Sequence, residues 1–401
     1  MKLNIYLAAA TAATLFAGNA FAQQGTVGYT PKASAAAAAA PVGPGQSRLP
    51  LADPDQFGAA PSAAAARIGG VPGGSVGSAN GKTLLEASSD GDEPSAYGTS
   101  TAPYTTSRVA LTNRGSPAAN TVPGDPVTGY PYRATGKLWM RFGTSWSVCS
   151  ASLIKPGVLI TAAHCVHNYG RGNAGFANEV RFYPANISSS TTIVQPYGVF
   201  TGATWRIPTP YFNGTDTCTQ VGVVCNNDIA TVTLSPRSGV RAGNLVGWYG
   251  YGWNGPSYRN ASMLGNVLAV QITQLGYPVA FDSGFQMQRT DAVGWFQNNG
   301  NLNLKNTQIG SAQTGGSSGG PWIINFGTVP VVSSSASRGS FPNQWVVGVT
   351  SYGSLTVGFN RQGASYFGQN LQFPNAAYGT HGAGNIGKLV LDTCTATPAA
   401  C

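Results

Sequence analysis

From Tyr130 onward, short runs bearing Val, Ile, Leu, Tyr, Phe and Trp alternate with clusters of Gly, Asn, Pro and Ser. Such runs lie at 137–142, 148–154, 158–163, 229–234, 245–251, 266–272, 321–324 and 344–351. Each is the length of a strand and is bounded by turn formers. Apolar residues at helical spacing are hard to find over ten or more positions. Many short strands separated by turns predict an all-β architecture, an antiparallel barrel or sandwich. Residues 131–401 suit one unit of two packed barrels better than two independent domains. The tail after about residue 358, rich in Asn, Gln and Gly, is expected either to finish the second barrel or to cover it.

The first 130 residues follow a different pattern. Residues 1–22 start with Met1-Lys2, continue through an apolar stretch and end on Ala20-Phe21-Ala22. That order marks a secretory signal peptide cut after Ala22. A membrane anchor is the rival reading, but the run is interrupted and shorter than the roughly 20 apolar residues of a spanning helix. Residues 23–130 are rich in Ala, Gly, Pro, Ser and Thr, with the tract 35–40 entirely Ala. A segment of this kind buries too little apolar surface to offset its ordering entropy. It reads as a propeptide or linker, with a flexible spacer, a foldase and an inhibitor as its possible roles.

Export fits the six cysteines, which form three local pairs along the chain: Cys149 with Cys165, Cys218 with Cys225 and Cys394 with Cys401. Six cysteines allow 15 connectivities, so proximity and compartment are the grounds for this pairing. Zinc is the alternative, disfavoured because no C-x-x-C spacing occurs and only three histidines exist. The net charge of +9 sits in the C-terminal part, where residues 131–401 hold fifteen Lys and Arg against six Asp and Glu. Anionic envelope components are the partners such a domain would attract. Solubility is the simpler role, since there is no basic run and no nucleic-acid motif.

Two segments carry chemistry. In 147–165, two apolar runs flank Lys155-Pro156-Gly157, a tight connection that pairs the runs and brings Cys149 opposite Cys165 beside His164. In 314–321, the string Thr-Gly-Gly-Ser-Ser-Gly-Gly-Pro packs glycines ahead of an apolar strand. Such glycines let the backbone turn sharply and present amide groups to a developing anion. The block Thr161-Ala162-Ala163-His164-Cys165 resembles the histidine motif of chymotrypsin-like serine proteases. The glycine string is similar to that family's Gly-Asp-Ser-Gly-Gly-Pro. The resemblance implies two packed six-stranded antiparallel β-barrels with the active site between them. It also implies Ser318 as nucleophile, His164 as general base and an oxyanion hole from the amides of Gly316 and Ser318.

Chain order tests this against other hydrolases. Residues 316–320 also satisfy G-x-S-x-G, whose family order is Ser, acid, His. No Asp or Glu lies between Ser318 and His381, the last histidine, so that order fails. An acid ahead of His164 would be Asp125, within the Pro/Gly-rich region. In the order His, Asp, Ser, the candidates are Glu179, Asp216, Asp228, Asp282 and Asp291. Asp228-Ile229-Ala230 opens an alternating strand and resembles the family's Asp-Ile-Ala motif, so Asp228 is expected to orient the histidine, with Asp216 as fallback. His167 and His381 are read as structural.

The expected activity is that of a secreted serine endopeptidase acting on protein or peptide substrates, with no metal or organic cofactor. A catalytically inactive homologue serving as a binding module and an esterase on the same fold are the alternatives. Ser317 stands where most trypsin-like enzymes carry the Asp that pairs with a newly cut N-terminus. Removal of the upstream segment is therefore expected to act by unblocking the site. The stretch 130–138 and the missing Asp are similar to the bacterial V8-like, glutamyl-endopeptidase-like branch. By that resemblance Ser351, Tyr352 and Gly353 pair with substrate backbone, Ala312 lies at the pocket floor, and Thr350 replaces the branch's histidine. A neutral floor favours an uncharged residue before the cleaved bond.

Overall fold

The computed structural model describes residues 25–32, 46–47, 51–52, 95–97, 102–109, 127–188, 194–256, 258–327, 344–354 and 360–401. The expected signal peptide, the Ala tract and Asp125 fall outside them.

The predicted runs pair edge to edge until the sheets close. In the first barrel, Thr135–Phe142 lies between Ser145–Lys155 and Glu179–Pro184. Glu179–Pro184 meets Phe200–Pro208, which pairs with Ala230–Leu234. Ala230–Leu234 pairs with Val158–Thr161, and that strand returns to Ser145–Lys155. All six pairings are antiparallel. Inward-facing Leu138, Met140, Leu153, Leu159, Val180, Phe182, Trp205 and Val232 fill the interior and are buried.

The second barrel is built in the same manner. Val267–Gly276 pairs with Gln288–Asn299, which pairs with Leu304–Gly310, which pairs with Arg361–Ser365. Arg361–Ser365 meets Tyr352–Ser354, the continuation through Thr350 and Ser351 of Trp345–Val349. Trp345–Val349 pairs with Pro321–Ile324, which closes the circuit on Val267–Gly276. Ile272, Ile309, Trp322 and Ala364 occupy this core. The tail after 358 thus supplies a strand of the second barrel.

Two expectations are corrected. The run 245–251 is not one strand. A helical turn Ala242–Val246 ends at Gly247, whose φ of 76° terminates it, and only Gly250–Tyr251 is extended. A helix of 13 residues also occurs where the sequence pattern predicts none. Gly384–Ala396 buries Ile386, Leu389, Val390, Thr393 and Cys394 on one face. It lies against the first barrel, where Thr393 meets Thr231 through a 2.7 Å hydroxyl pair.

Parts of the Ala/Gly/Pro/Ser-rich region lie on the barrels. Thr26–Tyr29 adds an antiparallel strand to Phe200–Pro208. Tyr104–Arg108 adds one to Gln288–Asn299, and Arg108 Nε donates to Asp282 Oδ2 at 2.9 Å. Gln46–Ser47 runs parallel to Ser147 and Val148, and Leu51–Ala52 runs parallel to Gly353 and Ser354. Bridges join Cys149 to Cys165, Cys218 to Cys225 and Cys394 to Cys401.

Candidate active site

The hairpin Ser145–Lys155 and Val158–Thr161 delivers the chain to a single helical turn, Ala163–Val166. Thr161 Oγ1 donates to Ser150 O at 2.9 Å, and the Cys149–Cys165 bridge ties the turn back to the strand. His164, buried at that turn, is held twice by Asp228. Its backbone N–H donates to Oδ1 at 2.9 Å, and Nδ1 lies 2.8 Å from Oδ2. An ionised carboxylate only accepts, so Nδ1 carries the ring proton and Nε2 is the basic nitrogen of the neutral ring. Ser351 Oγ donates a third hydrogen bond to Asp228, to Oδ2 at 2.6 Å.

Of the five acids between His164 and Ser318, Asp228 is the one bonded to a histidine among the described residues. Glu179 pairs with Arg141 and Arg181, Asp282 with Arg108, and Asp291 with Arg289. Asp216 sits one layer behind the site. It accepts the backbone N–H of Asn227 at 2.8 Å and its Nδ2 at 2.7 Å. Burial pushes its carboxyl up to about 7, against the opposing pull of these hydrogen bonds. Asp228 itself is anchored through its N–H, which donates to Ser365 Oγ at 3.0 Å, while that hydroxyl donates to Cys225 O at 2.7 Å. His167, outside this group, lies 2.8 Å through Nε2 from Gly172 O and packs on Phe176. His381 is outside it too, and its backbone O accepts from the Tyr251 hydroxyl at 3.0 Å.

The loop bearing Ser318 is pinned to the same hairpin. Ser150 N–H donates to Ser318 O at 2.7 Å, and Ser150 Oγ donates to Gly316 O at 2.9 Å. Val279 N–H donates to Gly315 O at 2.7 Å. A trans peptide points its N–H opposite its C=O, so this bond fixes the direction of the Gly316 amide. Gly316 at φ 98° and Gly319 at φ 75° make the turn possible. A Cβ on Gly319 would collide with Thr161 and Ser150, so the loop touches the strand end that leads to His164. Gly319 N–H donates to Thr350 O at 2.7 Å, the residue before Ser351. Ser318 Oγ is buried and makes no hydrogen bond among the described residues.

Tyr352 and Gly353 pair with Gly363 and Gln362 on one side, and Gly353 meets Leu51 on the other. Ala312, half-buried, donates its N–H to Thr106 Oγ1 at 3.3 Å. Thr350 Oγ1 is wholly buried and bonded to Gln274 Nε2 at 2.7 Å and Trp322 Nε1 at 3.0 Å, so its hydroxyl serves the interior. Sequence reasoning missed Ser150, Gln274, Gln362 and Ser365. No local motif marks them; only the strand registers bring them here.

Among the described residues two groups gather metal-type ligands, Cys149 with His164 and Cys165, and Asp216 with Cys218 and Cys225. In both, the sulfurs are joined as disulfides. Metal binding by cysteine requires the thiolate, so these groups do not fit a metal.

A family model described as Trypsin matches residues 124–357, more than half of the chain. The glutamyl endopeptidase of Bacillus licheniformis is 27% identical over 192 residues, 48% of this chain and 49% of that protein. The extracellular metalloprotease of Bacillus subtilis is 31% identical over 127 residues, 31% of this chain and 34% of that one. The chain therefore spans about half or less of the length of these curated relatives. Among solved structures, the protease Anisep from Arthrobacter nicotinovorans has a TM-score of 0.43 at 23% identity, over 60% of this chain and 92% of its own.

Proposed function

The chain belongs to the trypsin family of serine proteases, and from that premise we propose that it is a secreted endopeptidase that cuts peptide bonds through an acyl-enzyme on Ser318. The observation that carries this reading is the buried set His164, Asp228 and Ser351, joined at 2.8 and 2.6 Å and packed on the loop of an uncommitted Ser318 hydroxyl. A buried polar atom left without a partner is costly and asks for a functional reason.

The bonds of His164 and Asp228 support the following roles. His164 Nε2 takes the Ser318 proton as Oγ attacks the scissile carbonyl, then gives it to the leaving amine. Asp228 holds the ring in the tautomer that leaves Nε2 basic and stabilises the imidazolium. The amides of Gly316 and Ser318 receive the oxyanion; loss of one such donor typically costs ~10²–10³ in turnover. Water then attacks the acyl-enzyme by the same route in reverse. Ser351, Tyr352 and Gly353 take the substrate backbone as an added strand. Ala312, at the expected pocket floor, carries no charge of its own, which suits an uncharged residue before the cleaved bond.

Residues 1–22 direct export and residues 23–130 are a propeptide that blocks the site until it is removed. Support comes from Leu51–Ala52, which lies along Gly353 and Ser354, the edge a substrate strand would need. No helix among the described residues is long and apolar enough to cross a membrane.

The test is to isolate the processed protein and assay it on a mixed peptide library beside Ser318→Ala. Cleavage that falls by at least about 10⁴-fold in the variant supports the reading. An inert wild type, or a variant as active as wild type, overturns it.

A further inference from the structure

Ser317 leaves the active loop without the buried carboxylate that the resembling enzymes use to hold it. A chain of neutral side chains stands in its place. Gln362 Nε2 has two N–H groups and spends both on the loop, donating to Gln313 O at 2.6 Å and Ser317 Oγ at 3.3 Å. Its Oε1 accepts from Gln274 Nε2. The second N–H of Gln274 goes to Thr350 Oγ1 at 2.7 Å, and its Oε1 accepts from Ser311 Oγ at 2.7 Å. Ser311 Oγ in turn accepts the Gln313 N–H at 3.1 Å. Ser317 Oγ donates to Thr314 O at 2.7 Å, closing the turn from within. Gln274, Gln362, Ser311, Ser317 and Thr350 are all no more than 2% exposed.

We propose that Gln362, backed by Gln274, is the positioning residue that holds the 313–317 turn so that the Gly316 and Ser318 amides face a developing oxyanion. The inference rests on the proposed peptidase reading for its kinetic consequence, but the latch itself is a matter of loop geometry. The donors run in one direction, from Gln274 to Gln362 to the loop carbonyl at 313. No member of the relay is charged. The loop therefore needs no free α-ammonium to take its working shape, in contrast to a charge-pair latch, and this agrees with activation by unblocking rather than by insertion of a new N-terminus. A buried amide that loses its partner leaves donors or acceptors unpaired, so an interruption anywhere along this relay is felt at the loop.

The experiment compares the processed wild type with Gln362→Met, which keeps the length of the side chain and removes its donors, and with Gln274→Met, which removes the support one link back. Hydrogen exchange of the 313–319 amides and kinetics on a peptide substrate are measured on each. The expected result is faster exchange in that loop in both variants, larger for Gln362→Met. Turnover should fall about 10²-fold, the size of a lost oxyanion donor, with KM changed less than about threefold. A peptide aldehyde, whose adduct needs the oxyanion site, should weaken by the same factor as turnover. Acetylation of the processed α-amino group should leave wild-type turnover unchanged.

Unaltered loop exchange in both variants would overturn the latch, as would a loss of activity on acetylation. A loss confined to KM would do the same. Should Gln362→Met fail to fold, Gln274→Met carries the comparison. A wild type that cleaves nothing refutes the peptidase reading and leaves the exchange arm to decide the latch.

Discussion

Asp228 is surrounded by three donors, His164 N–H, His164 Nδ1–H and Ser351 Oγ–H. An amide in its place keeps one acceptor oxygen and turns a donor against the others. Asp228→Asn is therefore expected to keep the fold but force the wrong histidine tautomer, lowering kcat by about 10⁴-fold, as steady-state kinetics on a peptide ester and amide would record. Lys137 gives a prediction for stability. Its ammonium is buried between the rings of Trp139 and Phe285, each centroid 5.0 Å away, and burial lowers its pKa to about 7. In the unfolded chain a lysine titrates near ~10.4. Between about pH 7 and 10 the unfolded state binds more protons, so this residue makes stability rise with pH across that window. Urea unfolding at pH 7 and 9.5 should show that rise in wild type and a smaller one in Lys137→Met. His164, Asp228 and Ser318 were legible as candidates because each sits in a local string of distinctive residues. Ser150, Gln274 and Gln362 were not, because a buried Ser or Gln on a strand looks the same as a surface one until the partner strand is known.

At the scale of elements, the hairpin that ends in His164 is braced by the Cys149–Cys165 bridge, which closes a loop of sequence separation 16. Loop closure of this size is worth ~3 kcal/mol. The double variant Cys149→Ala/Cys165→Ala should lose about that much unfolding free energy and lose turnover as the histidine turn loosens, which equilibrium unfolding and kinetics would check together. Strands such as Val158–Thr161 and Ala230–Leu234 were readable from apolar runs set between turn formers. The run 245–251 misled because its apolar residues outweighed Gly247, the residue that ends the helical turn Ala242–Val246. Gly384–Ala396 escaped notice for the opposite reason. Gly and Thr are poor helix formers, yet Ile386, Leu389, Val390, Thr393 and Cys394 recur at helical spacing and pack on the first barrel, so tertiary burial overrides propensity.

For the molecule as a whole, closure of the barrels brings strand ends distant in sequence to one place: the turn after Thr161, the residues before Ala230, the loop before Pro321 and the edge after Val349. The all-β class was legible from the strand pattern, and the two six-stranded barrels from the resemblance that the motifs carry. The placement of Thr26–Tyr29, Leu51–Ala52 and Tyr104–Arg108 on the barrels was not, since composition described that region only as a poor core former. If Leu51–Ala52 occupies the substrate edge, a synthetic peptide spanning 46–54 should inhibit the processed protein competitively, and inhibition assays at varied substrate would show KM rising with kcat unchanged. On the proposed function Ser318, activated by His164, forms the acyl-enzyme. The most direct test is treatment of the processed protein with a phosphonylating reagent followed by peptide mapping. A single adduct on Ser318, lost in His164→Ala, is the predicted result; active protein that carries no adduct on Ser318 would contradict it.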